Sequence, residues 1–106
     1  MNTKIRNIFQ VLKNNLEALY GERLVSVILF GSQARGDAED GSDIDVLVIL
    51  KGDVNSGKEI ERTSDIVARL SLKHDAVIGR VFMDEHRFIH RNGPLLRNIR
   101  REGAVI

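Results

Sequence analysis

Apolar residues recur at Ile5, Ile8, Phe9, Leu12, Leu16 and Leu19, a spacing of threes and fours that matches the 3.6-residue period of an amphipathic helix. The spacing predicts a helix over residues 3–20, ended by Gly21. The pattern then changes. "RLVSVILF" (23–30) is rich in β-branched and aliphatic side chains and predicts a strand, and "DIDVLVIL" (43–50) predicts a second. After Asp45 both faces of that second strand are apolar, as in a strand covered on each side. "KGDVNSG" reads as a loop. Ser56 and Glu59 then form a capping-box pattern that opens a helix to about Lys73, with Ile60, Val67 and Leu70 on its inner side. "AVIGRVFM" (76–83) predicts a third strand, interrupted by Gly79, and Asp84 is placed to cap a helical turn through Phe88 and Ile89. Asn92, Gly93 and Pro94 break that turn, and Pro94 opens a last short helix that stops at Gly103. The order α-β-(loop or short helix)-β-α-β-α predicts a single domain over 1–106, of the α/β or α+β class, with helices packed on a small mixed sheet.

Charge and composition narrow the function. Charged residues make up 29 % of the 106, but the net charge is only +1. No global pull toward nucleic acid or an anionic membrane follows, and direct nucleic-acid binding is not expected. The distribution is uneven: residues 73–106 hold seven Lys/Arg against four acids. The absence of cysteine excludes disulfides, thiolate metal sites and cysteine nucleophiles. No apolar run approaches the roughly 18 residues of a membrane span. "MNTKIRNIFQ" lacks a signal peptide's apolar stretch, so a cytoplasmic protein without membrane association is expected.

The acids at the start of the second strand stand out. Residues i and i+2 of a strand share a face, so Asp43 and Asp45 project side by side, their Cα atoms roughly 6.6 Å apart. Two carboxylates that close raise each other's pKa unless a cation lies between them. Hard divalent ions such as Mg²⁺ suit all-oxygen ligands. Strand-start aspartates can also simply satisfy loop amides. The upstream turn shifts the balance toward a ligand. "GSQARG" directly follows a strand, so Gly31 permits close backbone approach to a ligand, and Ser32 offers a hydroxyl and an amide where phosphate could sit.

"LFGSQARGDAEDGSDIDVLV" resembles the nucleotidyltransferases of the DNA polymerase beta superfamily, and specifically their minimal (MNT) branch. The shared signature is an apolar strand, Gly31-Ser32, a gap, and Asp43-x-Asp45. Ala34-Arg35-Gly36 and Ser42 match the minimal branch's flanking residues, and "NIRREGAVI" resembles its C-terminal end. The resemblance implies a nucleotidyltransferase fold binding ATP with Mg²⁺, two ions accompanying the nucleotide. Gly31 and Ser32 would hold the β- and γ-phosphates, with Arg35 as a clamp and Ser42 beside them. Asp43 and Asp45 would hold metal, and a third acid on a later strand would complete the site. Asp75 is the candidate for that acid, because the usual mid-strand position is apolar or Gly79 and Asp84 reads as a helix cap. The resemblance further implies transfer of AMP to a small helical HEPN-type toxin from a neighbouring gene, silenced by its antitoxin. Homo- or hetero-oligomer formation stays open.

Other features carry less. "GDVNSGKE" approaches a P-loop, but Glu59 stands where a hydroxyl must meet Mg²⁺. The loop from Asp37 has Ser42 at the sixth position, where an EF-hand needs glycine. His86 and His90 are spaced i, i+4 without a third ligand in the pattern, and Arg87 and Arg91 make that face cationic. Three readings therefore remain: an enzyme acting on a protein partner, a binding module of the same fold that works without chemistry, and an enzyme transferring to a small hydroxylated molecule such as an aminoglycoside, which usually needs a second domain.

Overall fold

The computed structural model describes residues 3–35 and 43–105. Helix α1 (Thr3–Tyr20) buries Ile5, Ile8, Phe9, Leu12 and Leu16, as its periodicity predicts. Leu19 departs from the stripe and is 43 % exposed, because Tyr20 packs against the core at this last turn instead. Strand β1 (Leu24–Phe30) leads into the short helix α2 (Ser32–Arg35), and β2 covers Ile44–Leu50. Helix α3 (Ser56–His74) crosses to β3 (Ile78–Asp84), followed by α4 (Glu85–His90), α5 (Pro94–Glu102) and a two-residue strand β4 (Ala104–Val105).

The strands form one sheet in the order β3-β2-β1-β4. β2 runs antiparallel to β1 and parallel to β3, and β4 pairs antiparallel with β1. The mixed sheet follows from the connections, since the α3 crossover is long enough to return the chain in the same direction. β2 is buried along nearly its whole length, as its two apolar faces require. Ile44, Val46, Val48 and Leu50 face α1 and α3, while Leu47 and Ile49 meet Ile28, Leu96 and Ile99 on the α5 side. By the same alternation Asp43 and Asp45 share the α5 face.

Two expectations fail at α3. The cap is Asn55, whose side chain accepts from the Lys58 amide at 3.1 Å, so the Ser56–Glu59 capping box does not form. The one-residue shift turns Glu59 inward, in line with Thr63, Val67 and Leu70, and leaves Ile60 44 % exposed. β3 also passes through Gly79 without a break. The cap at Asp84 is present, its Oδ1 accepting from the Arg87 amide at 2.8 Å.

Glu59 anchors the end of the sheet where β1 begins. It is 3 % exposed. Its carboxylate accepts from the Tyr20 hydroxyl at 2.8 Å and pairs with Arg62 at 3.3 Å and Arg23 at 3.6 Å. Arg23 also donates to the Lys51 and Asp53 carbonyls, at 3.1 and 2.7 Å. Arg80 of β3 donates to Thr63 Oγ1 at 2.7 Å and the Ile60 carbonyl at 2.8 Å. Burial raises the Tyr20 phenol above its ordinary range, and the hydrogen bond to Glu59 adds to the rise. No helix among the described residues is long and apolar enough to cross a membrane.

Candidate active site

At the opposite end of β1 the chain turns sharply. Phe30 is the register partner of Asp45, and Gly31 follows with φ +77°, a left-handed conformation that strains other residues. The Ala34 and Arg35 amides both donate to the Gly31 carbonyl, at 3.1 and 3.2 Å, which closes α2 immediately after the strand. On the other side of β2, Gly79 is level with Asp45 in the parallel register.

These two glycines make room for one side chain. A Cβ on Gly31 would lie 2.9 Å from Asp45 Oδ2, and a Cβ on Gly79 would lie 2.9 Å from Oδ1. The Asp45 carboxylate therefore rests between bare backbone contributed by both neighbouring strands. Burial pushes its pKa above the ordinary carboxylate value, and the negative charge of Asp43 pushes it further. Asp43 is exposed just before β2, where the Ile44 amide donates to the Val77 carbonyl at 2.8 Å.

The other residues singled out by sequence are placed as follows. Ser32 opens α2 and Arg35 ends it. Arg35 Nη1 lies 3.5 Å from a Glu102 carboxylate oxygen in α5. Asp75 is the exposed left-handed C-cap of α3, with φ 49° and ψ 54°. Among the described residues no three His, Cys, Asp or Glu side chains are grouped to hold a metal, so Asp75 is not brought into one cluster with Asp43 and Asp45. Ser42 and the Asp37 loop lie outside the described residues. In the loop resembling a P-loop, the Lys58 amide is occupied by Asn55. The His86 and His90 rings lie 4.4 Å apart on α4.

Two features of this end escaped the sequence reading. Gly79 was visible only as an interruption of a strand, and its closeness to Asp45 depends on strand register. Glu102 carried a signal that went unused: an acid in the last turn of a helix opposes the helix dipole. A cavity of about 200 Å³ opens beside it, between Phe30, Gly31 and Arg35 on one side and Leu95, Asn98 and Ile99 of α5 on the other.

The donor set suits a hard divalent cation. Mg²⁺ is commonly bound by one or two carboxylates, with phosphates and water completing its shell. Asp43 and Asp45 could supply those carboxylates, and a cation there would offset both the burial and the repulsion that raise the Asp45 pKa. One carboxylate on a central strand, a second just before it and a glycine turn alongside, on a small mixed sheet, fit a nucleotidyl-transferring enzyme.

Comparison with known proteins agrees. The nucleotidyltransferase domain model matches residues 8–106, and the chain belongs to that family of enzymes. It is 37 % identical over 94 residues to MJ0604 of Methanocaldococcus jannaschii, named as a protein adenylyltransferase, covering 88 % of each chain. A toxin–antitoxin structure with AMP-PNP superposes with a TM-score of 0.61 at 18 % identity, over 89 % of this chain and 68 % of that one. The Shewanella oneidensis complex of a tri-AMPylated HEPN toxin with its MNT antitoxin gives a TM-score of 0.52 at 17 % identity, over 96 % of this chain and 67 % of that one. At such identities the two structures establish the fold.

Proposed function

We propose that this nucleotidyltransferase moves AMP from ATP to a hydroxyl of a small helical HEPN-type partner protein, acting in the cytoplasm as the partner's antitoxin. The observation that carries the proposal is the seating of Asp45 between Gly31 and Gly79 with Asp43 beside it. The relative named as a protein adenylyltransferase supports the reaction, and the AMPylated HEPN toxin in a complex of the same fold supports the partner.

Gly31 and Ser32 would hold the β- and γ-phosphates, with Arg35 as a guanidinium fork matched to phosphate oxygens. Asp43 and Asp45 would hold Mg²⁺, two ions accompanying the nucleotide. When bound, such ions neutralise charge on the attacking and leaving oxygens. The acceptor oxygen attacks the α-phosphorus, the bond to the bridging oxygen breaks, pyrophosphate leaves, and the hydroxyl proton passes to a base. Asp45 is mounted on the buried strand β2, with Asp43 just before it, which supports a rigid seat for such a site. Asp75 is the sequence-based candidate for the third carboxylate and for the proton acceptor.

The test is incubation with ATP, Mg²⁺ and the helical protein encoded beside this chain, followed by intact mass of both proteins. One or more AMP additions to the partner are expected. Loss of transfer by roughly 10²–10⁴-fold is expected for Asp43→Asn with Asp45→Asn, and for Asp75→Asn if it takes the proton. Normal transfer by Asp75→Asn removes Asp75 from the site. The placement of Asp75 as the exposed C-cap of α3 leaves a second reading, a partner-binding module that holds nucleotide without chemistry. Wild type that binds ATP and partner but never transfers would establish it.

A further inference from the structure

Glu102 is placed against Arg35 by the contacts that seat α5 on the sheet and on α4. Leu96 and Ile99 seat α5 on the sheet through Ile28, Leu47 and Ile49. Arg100 ties α5 to α4, donating to the Phe88 carbonyl, to the Arg91 carbonyl at 3.1 Å and to Asn92 Oδ1 at 3.3 Å. The residue after Glu102 must be glycine: a Cβ on Gly103 would stand 2.5 Å from the Ile99 carbonyl oxygen and 2.6 Å from Ile28 Cγ2. Ala104 then pairs with Leu29, one residue before the end of the strand that delivers Gly31. The helix end bearing Glu102 is thus fixed to the strand whose terminal turn bears Arg35.

We infer that Glu102 is a positioning residue that holds the Arg35 guanidinium at the cavity beside Gly31, aimed at the distal phosphates of the nucleotide. The inference rests on the phosphate role proposed above for the Gly31 turn. Arg35 and Glu102 side chains are 43 % and 31 % exposed, so their ion pair adds little to stability. Its use is geometric. A guanidinium carries five N–H donors in a rigid fork, so a carboxylate at Nη1 leaves the fork oriented for a second anion. Without Glu102 the arginine would lose one of the contacts that set its rotamer, and part of that orientation would have to be regained on each binding event.

Calorimetry with AMP-PNP and with AMP, each with Mg²⁺, separates this role from simple packing. Glu102→Ala is expected to weaken AMP-PNP about 10-fold while leaving AMP, which lacks the distal phosphates, within about 2-fold. Glu102→Gln should recover part of the loss. In an Arg35→Ala background, Glu102→Ala should have no further effect, because the two substitutions remove one interaction. Equal weakening of both ligands, additive losses in the double variant, or tighter AMP-PNP binding without Glu102 would each overturn the inference. Wild type that binds neither ligand would overturn the phosphate-site reading as well, whereas wild-type binding with an indifferent Glu102→Ala defeats only this inference.

Discussion

The two ends of the sheet treat a partly or wholly buried acid in opposite ways. At one end Glu59 is surrounded by a hydroxyl and two guanidinium groups, so its burial is compensated by the protein itself. At the other, Asp45 has a second carboxylate as its electrostatic neighbour, and both effects push its pKa up. The first arrangement is finished; it joins the end of α1, the start of β1 and the start of α3. The second leaves its charge opposed by burial and by a like charge, which is what the proposed cation site would use. A compensated acid marks construction, and an uncompensated one is where a ligand could contribute binding energy.

That contrast breaks most visibly at Glu59. Glu59→Ala leaves Tyr20, Arg23 and Arg62 without their common acceptor and should cost about 2–4 kcal/mol of unfolding free energy in a urea titration. A loss below about 0.5 kcal/mol would mean that the cluster is ornamental. Gly79→Ala probes the other end through space alone. The added methyl would press on Asp45 Oδ1, and Mg²⁺·AMP-PNP affinity is expected to fall about 10-fold, with a small change in melting temperature. Unchanged affinity would show that the carboxylate does not need its seat.

The smallest expected effect sharpens the comparison most. Because the folded-state pKa of Asp45 is raised above 3.8, the unfolded chain releases its proton first as pH increases. Stability therefore falls as pH rises from about the ordinary carboxylate value through the raised one, and the penalty is complete above it. Asp45→Asn should match wild type in melting temperature at acidic pH and exceed it at neutral pH. Adding Mg²⁺ with AMP-PNP should reverse the order by stabilising wild type only. A variant that melts below wild type at neutral pH without ligand would contradict the electrostatic account.

Much of this was legible in the sequence where the signal was periodic. The α1 stripe, the doubly buried β2 and the Asp84 cap all follow from local patterns. The register was not legible. That Asp45 lies level with Gly79, and that its oxygens touch positions 31 and 79 together, depends on how three strands align. The capping residue of α3 was missed by one position because Asn55 and Ser56 are both competent caps, and only the inward turn of Glu59 distinguishes them. β4 has two residues, too few for any period. Asp75 reads as the mouth of a strand, yet the chain there is still closing a helix in left-handed geometry.

The pairing of β4 with β1 also sets a timetable. Ile28 and Leu29 leave the ribosome well before Ala104 and Val105, their partners in the sheet. At roughly 5–20 residues per second, that edge of β1 stays open for several seconds during synthesis. Gly31 and Asp45 are made early, and α5 with the Glu102 it carries is made well after them. A nascent chain would thus possess its carboxylates before the part that closes the cavity beside them.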